Sequence, residues 1–302
     1  MFEFSPVIIF VYGRVDHLKK TVESLKKNKN SNKTKLYIFS DGAKKQSDVS
    51  NVNNVREFCR NIKGFKSIKI IKRQKNFGLS KNIINGISQI LKISKTAIIL
   101  EDDMCCDENF LSYMNFFLKK YETNSNVVSI HGYNYPLADK KNLPQFFFIK
   151  GADCWGWATW SLKWKIYNNN AKVLAERIKK KGLIKEFNFN NNFNYYQMLL
   201  NSYNKKNDSW AIKWYASAFL KNKLTLHPKH SLINNIGMDG SGRHSSKTNI
   251  FNVKLRNKFL NLRKQKIPIK ENILAREKTE FFFNRFKENI FNKIFLRIKN
   301  VF

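Results

Sequence analysis

From residue 6 to residue 120, short apolar runs alternate with stretches in which apolar residues recur every three or four positions. That is the pattern of strands alternating with helices. Residues 6–12, PVIIFVY, form a continuous apolar run, expected to be a central strand covered on both faces. Gly13 and Arg14 end it, and Asp16 is placed to cap a helix whose apolar stripe is Leu18, Val22 and Leu25. Further strands are expected at 36–39, 67–71 and 97–100, with helices over 52–62 and 79–93. After the last of these strands, Asp107 and Glu108 are expected to supply the cap and first turn of a helix carrying Phe110, Leu111, Met114, Phe117 and Leu118. Such an order implies a parallel, doubly wound α/β sheet.

The informative polar residues stand at the ends of these strands. The run AIIL at 97–100 is followed directly by Glu101, Asp102 and Asp103. Adjacent anions at the end of a buried strand repel, and a divalent cation or the hydroxyls of a ligand relieve the repulsion most simply. A solvated acidic turn is the plainer alternative. Arg14, Asp41 and the segment holding Arg73, Asn76, Gly78, Lys81 and Asn82 fall at the other strand ends. In a parallel sheet they share one edge with the acids, where open α/β sheets bind ligands. Singly, Arg14 or Asp41 reads as a turn residue or a surface charge; together the strand ends would let one nucleotide span the edge.

The second half is patterned differently. A short strand is expected at 127–131; residues 146–150 and then GADCWGWATW at 151–160 bring a dense aromatic cluster, with Trp164 following. Flat aromatic faces beside glycines suit stacking on a sugar ring, with core packing as the alternative. A basic, helical stretch over 171–219 contains NDSWAIKW at 207–214, where Asp208 serves either as a helix cap or as a reacting carboxylate. Glycines 237, 240 and 242 make 225–244 read as a flexible loop able to close over a ligand, with His244 at its end placed to reach a phosphate or a metal. Residues 280–302 carry Phe283, Phe286, Ile290, Ile294, Ile298 and Val301 at helical spacing, with Arg285, Lys287, Lys293, Arg297 and Lys299 interspersed. Such a basic amphipathic helix reads as a membrane-interface or partner-docking element, or as a helix packed on its own domain.

Composition changes the picture in two ways. A chain of 302 residues with 14% aromatic residues holds a real core, which excludes wholesale disorder. Lys and Arg number 56 against 22 Asp and Glu, a formal charge of +34. That excess points to a polyanion, either nucleic acid or an anionic membrane face, although an AT-rich genome also yields chains rich in Lys and Asn. Cys59, Cys105, Cys106 and Cys154 show no metal-ligand spacing, which fits a reducing cytoplasm. Neither a signal peptide nor a run near the roughly 20 apolar residues of a membrane span is expected.

With these residues in place, the chain resembles nucleotide-sugar glycosyltransferases of the GT-A fold, namely the N-acetylglucosaminyltransferase I type and the bacterial family 2-like sugar transferases related to it. The resemblance covers about residues 5–245 and rests on PVIIFVYGR (6–14), FSDG (39–42), NFGLSKN (76–82), EDD (101–103), GWATW (156–160) and the span from DSW (208–210) to GMDG (237–240). It implies a mostly parallel α/β catalytic domain over 1–265 and a basic helical extension over 266–302. Arg14 would lie against the nucleotide's base or diphosphate and Asp41 against the nucleobase edge. Arg73, Asn76, Gly78, Lys81 and Asn82 would form the donor loop, with Lys81 or Arg73 as its basic residue. Glu101 and Asp102 would bind ribose or donor hydroxyls. Asp103 would hold Mn2+ or Mg2+, with His244 as a second ligand, and Trp155, Trp157 and Trp210 would meet the acceptor. Asp208 would be the general base of an inverting transfer, although Ser209 falls where some relatives carry an acid. The expected partners are a nucleotide-sugar donor, a UDP-sugar being favoured, a glycan or glycolipid acceptor, and an anionic membrane surface. The expected setting is lipopolysaccharide or capsule synthesis, peripherally at the inner face of the cytoplasmic membrane. Two other classes remain: a basic nucleic-acid-binding protein, for which no binding motif is present, and a degenerate transferase fold that binds a glycan or partner.

Overall fold

The computed structural model describes residues 4–241, 247–258, 260–263 and 266–299, with side chains described to Lys287. Strands β1 (Val7–Val11), β2 (Lys35–Ser40), β3 (Ser67–Lys72), β4 (Thr96–Glu101), β5 (Met104–Cys106), β6 (Val127–His131), β7 (Phe146–Lys150), β8 (Trp157–Trp160), β9 (Leu224–Pro228) and β10 (Ile233–Asn235) are interleaved with helices. The helices are α1 (Val15–Lys26), α2 (Val49–Arg60), α3 (Leu79–Leu91), α4 (Phe110–Lys120), α5 (Ser161–Trp164), α6 (Ala171–Lys180), α7 (Ile184–Phe187), α8 (Tyr195–Tyr203), α9 (Trp210–Leu220) and α10 (Ile273–Lys299).

The main sheet runs in the order β3-β2-β1-β4-β8-β6-β9-β7. β1 to β4 pair in parallel, β8 lies antiparallel between β4 and β6, and β7 is antiparallel to β9. The sheet is therefore mostly parallel, and the doubly wound order expected from sequence holds for its first four strands. Alternate residues of β1 serve the two faces. Val7, Ile9 and Val11 pack against α1 and α4, while Ile8 and Phe10 pack against Ile83, Ile87 and Ile90 of α3. That is why β1 had to be apolar throughout. α1 turns Leu18, Val22 and Leu25 inward, and no side chain caps it: Arg14 stands at the cap position and Asp16 in the first turn.

Three segments depart from expectation. WATW at 157–160 is a fully buried strand rather than an open aromatic cluster. The supposed loop at 225–244 begins as β9 and β10, and β10 pairs with β5, a short strand that separates the acids from α4. Asp107 is consequently not the cap of α4. Its carboxylate binds the backbone N–H groups of Asn109 and Asn257 at 2.9 and 2.7 Å, tying down the chain on either side.

A separate aromatic cluster lies beyond β7, built from α6 to α9 and closed by α10. The segment expected as an extension contributes core: Ala275 and Phe283 are buried there. Arg276 binds Glu280 and the Glu186 carbonyl oxygen, with its guanidinium 3.7 Å from the Phe189 ring centroid. The membrane-facing positions expected from Ile290 onward lie outside the described side chains.

Candidate active site

The register of the parallel strands sets the site. Phe10 pairs with Glu101 and Val11 with Ser40, so β1, β2 and β4 end together. Asp102 and Asp103 form the turn from β4 into β5 and are buried, at 4% and 8% exposure. Arg14 donates to Asp102 and, at 2.7 Å, to Oδ2 of Asp103. Burial pulls the Arg14 pKa down, but the two carboxylates outweigh it and hold the guanidinium firmly charged. Burial raises the pKa of Glu101, and Asp103 and Asp102 add to that. Asp102 is likewise raised by burial, against the pull of Arg14. One cation for three acids leaves this edge short of positive charge. Asp103 Oδ1 is buried and finds no hydrogen-bond partner among the described residues.

This arrangement changes the part expected of Arg14. Its guanidinium is engaged by the acid turn, so it offers a base or diphosphate only what those carboxylates leave. Among the described residues no group of three or more His, Cys, Asp or Glu side chains could hold a metal ion. One carboxylate oxygen of Asp103 fits a hard cation whose other ligands are phosphate and water oxygens. His244, the second expected ligand, lies outside the described residues.

Asp41 is corrected more sharply. Its Oδ1 accepts from the N–H groups of Gly42 and Phe77, and its Oδ2 from Gly78 N–H and Asn76 Nδ2, at 2.8 to 3.2 Å. A carboxylate has about four lone-pair sites. Asp41 is thus filled by the loop it organises and has none to spare for a nucleobase edge. The same loop absorbs most of the other expected donor residues. Asn76 also binds the Gly42 carbonyl, and Arg73 binds Asn82 and Asn85 of α3 while lying over the Phe39 and Phe77 rings. Gly42 is required here because a Cβ on it would stand 2.5 Å from the Lys75 backbone. Lys81 stays exposed, its Nζ 5.1 Å from the Phe77 ring centroid, and with exposed Lys75 it is a basic residue left available at this loop.

α9 brings Asp208 to this loop. The cap of α9 is Ser209, whose hydroxyl accepts from Ile212 N–H, so the capping role open to Asp208 is already filled. Asp208 is exposed, and a Cβ on Gly78 would be 3.8 Å from its Oδ2. Carboxylate and donor loop therefore face each other. The expected acceptor contacts of Trp157 and Trp210 do not survive. Both are buried, at 0% and 3% exposure, and they stack at 5.7 Å within a cluster that includes Trp164 and Trp214. Neither has a ring face to offer a sugar. Trp155 is half-buried against Tyr133 and Phe251.

Sequence reasoning named Gly237 only as a loop glycine and missed Arg56 altogether. Gly237 follows β10, and a Cβ there would lie 2.0 Å from Asp103 Oδ2, so only glycine lets the chain pass over the acid turn. The glycine spacing at 237 and 240 was its only signal. Arg56 of α2 donates to Ser40 Oγ and to the Asp41 and Arg73 carbonyls, tying the ends of β2 and β3 together. A lone arginine in a helix gives no such hint.

Residues 7–183 match the sequence model of glycosyl transferase family 2. A search of curated proteins finds no match. Similar solved structures include a mannosyltransferase, PcManGT from Pyrobaculum calidifontis, in complex with GDP-Man and Mn2+ (12% identity, TM-score 0.32, covering 44% of this chain and 36% of that one). Two others are TarS of S. aureus (16%, TM-score 0.33, 49% and 24%) and an active-site mutant of LgtC (10%, TM-score 0.35, 58% and 64%). This chain spans less than two thirds of the length of each. The match over more than half the sequence places the chain in glycosyl transferase family 2.

Proposed function

We propose a divalent-metal-dependent, inverting transfer of a sugar from a nucleoside-diphosphate donor to a glycan or lipid-linked acceptor in bacterial surface polysaccharide synthesis. The observation that carries the reading is Asp103 Oδ1, a carboxylate oxygen left without a partner on a buried, electron-rich edge. Asp103 would hold Mn2+ or Mg2+, and the ion, when bound, neutralises charge on a diphosphate leaving group. Lys81 and the N–H-rich loop around Gly78 would orient the donor.

Asp208 takes the proton of the acceptor hydroxyl as its oxygen forms a bond to the anomeric carbon. The bond from that carbon to the phosphate oxygen breaks, and the diphosphate leaves with the electron pair. Support for this role is the pairing of an exposed carboxylate with the donor loop and the separate cap at Ser209. The basic excess of the chain is assigned to an anionic membrane face; no described helix is long and apolar enough to cross a membrane.

Thermal shifts with nucleoside diphosphates and nucleotide sugars, each with and without Mn2+, test the reading, because a ligand of the folded state raises its stability. A metal-dependent shift that Asp103→Ala removes is expected. Mn2+-dependent nucleotide affinity that is unchanged in Asp103→Ala would sink the metal assignment.

A further inference from the structure

The proposed transfer leaves unused a cavity of about 220 Å³ behind the loop 151–155, between that loop, α8, α9 and the first turns of α10. It adjoins the site on two sides. Ser209, next to Asp208, lines it, and so does Cys154, which lies within range of the charges of Glu101 and Asp103. Its walls are largely ring faces, among them Tyr135, Phe193, Tyr195 and Phe283.

Among the polar groups that line it are Asp153 and His227, and the hydrogen bonds behind them fix what each offers. Trp155 N–H donates to His131 Nε2 at 3.1 Å, so that nitrogen carries no proton. His131 is fully buried and neutral, burial pushing its pKa down to about 3, and its proton therefore sits on Nδ1. Nδ1 stands 3.2 Å from His227 Nδ1, which must accept. His227 is also neutral, pushed down to about 3 by burial and by His131, and so carries its proton on Nε2. The cavity thus has a histidine of fixed tautomer with a donor N–H. Beside it, Asp153 accepts from Cys154 N–H at 2.7 Å and Tyr135 Oη–H at 3.3 Å, with the Cys154 thiol also in reach, and keeps acceptor capacity over.

We infer that this cavity binds one neutral monosaccharide unit of the acceptor, with Asp153 and His227 Nε2–H reading a pair of hydroxyls and the aromatic walls covering the C–H face of the ring. The inference rests on the transferase reading and deepens it. The volume equals the share of roughly seven water molecules, enough for one ring but not for a long isoprenoid or acyl chain. A purely apolar occupant would offer no partner to the spare lone pairs of Asp153, whose side chain is 26% exposed, or to the N–H of buried His227. A sugar satisfies both while presenting an apolar face to the rings.

The test is ligand-observed NMR on the full chain with methyl glycosides of neutral hexoses and N-acetylhexosamines, in the presence and absence of a nucleoside diphosphate with Mn2+. At least one glycoside is expected to bind. Asp153→Asn should weaken it about tenfold or more, and Phe193→Ala, which removes a wall and leaves the polar pair, should weaken it several-fold, with nucleotide binding unchanged in both. Should Asp153→Asn not fold, Phe193→Ala decides. No glycoside binding to the folded wild-type chain, or binding that both variants retain, overturns the inference. A short alkyl or aryl alcohol binding in place of glycosides, indifferent to Asp153→Asn, overturns it too. Loss of nucleotide binding in the wild type is a separate result, which fails the transferase reading and leaves the glycoside measurement to decide the cavity.

Discussion

The edge formed by β1, β2 and β4 and the aromatic half beyond β8 handle buried polar groups in opposite ways. At the edge, three acids share one guanidinium, Asp41 is filled by backbone N–H groups, and one oxygen of Asp103 is left over. In the aromatic half, His131 and His227 are stripped of charge and satisfied by each other and by one backbone N–H. The edge keeps unbalanced charge, which a ligand must complete. In the aromatic half the two imidazoles are held neutral, so what they offer a ligand is hydrogen-bond direction. On the proposed reading, the edge gathers a charged donor and the cavity beside the histidines holds a neutral ring.

The comparison breaks first if the aromatic half is not a packed unit. Phe283 of α10 is 1% exposed and meets the rings of Tyr135, Phe189 and Phe193 at 4.8 to 5.2 Å. Phe283→Ala should reduce unfolding free energy by about 3–5 kcal/mol in urea titrations. A loss below about 1 kcal/mol would mean that α10 is an appendage, as its sequence alone implied.

The two regions also differ in how far they were legible. Strands β1 and β4 and the stripes of α1 and α3 follow from runs and periods within a dozen residues, and the carboxyl edge follows from their order. What lay beyond was decided by contacts distant in sequence. β8 has no period because both its faces are buried, and β5 and β10 are three residues each, made strands only by each other. Asp41 and Arg14 were placed at the right edge but assigned to a ligand, because sequence does not show that Gly42, Phe77 and Gly78 turn their N–H groups toward one carboxylate and Asp102 and Asp103 toward one guanidinium. Trp157 and Trp210 looked available for stacking because burial by other tryptophans is a property of the fold, not of the motif.

A smaller effect, confined to the edge, sharpens the division of labour. Asp208→Asn keeps the shape beside Gly78 but cannot take a proton, so turnover should fall roughly 100-fold, about 2.7 kcal/mol in the barrier, with nucleotide affinity intact. Steady-state kinetics beside nucleotide titration check this. Turnover within a few-fold of wild type would move the base elsewhere on the edge.

The smallest effect belongs to the histidines. Both are held neutral in the fold with pKa values pushed down to about 3, while in the unfolded chain each binds a proton near its ordinary value of 6.5. Below that value the unfolded state binds more protons, so this contribution to stability is complete at higher pH and is lost as pH falls from about 6.5 toward 3. Between pH 6.5 and 5.5 the loss should be about 1 kcal/mol for each imidazole. Unfolding free energies of the wild type and of the His131→Leu/His227→Leu double variant, measured at both pH values, isolate the contribution, since other titrating groups act on both proteins. The variant should show the shallower dependence whatever its absolute stability. Equal slopes would mean that neither imidazole is held neutral in the fold. In that event the one-way chain from Trp155 N–H through His131 to His227 is not fixed, and the contrast between a charged edge and a neutral interior loses its strongest member.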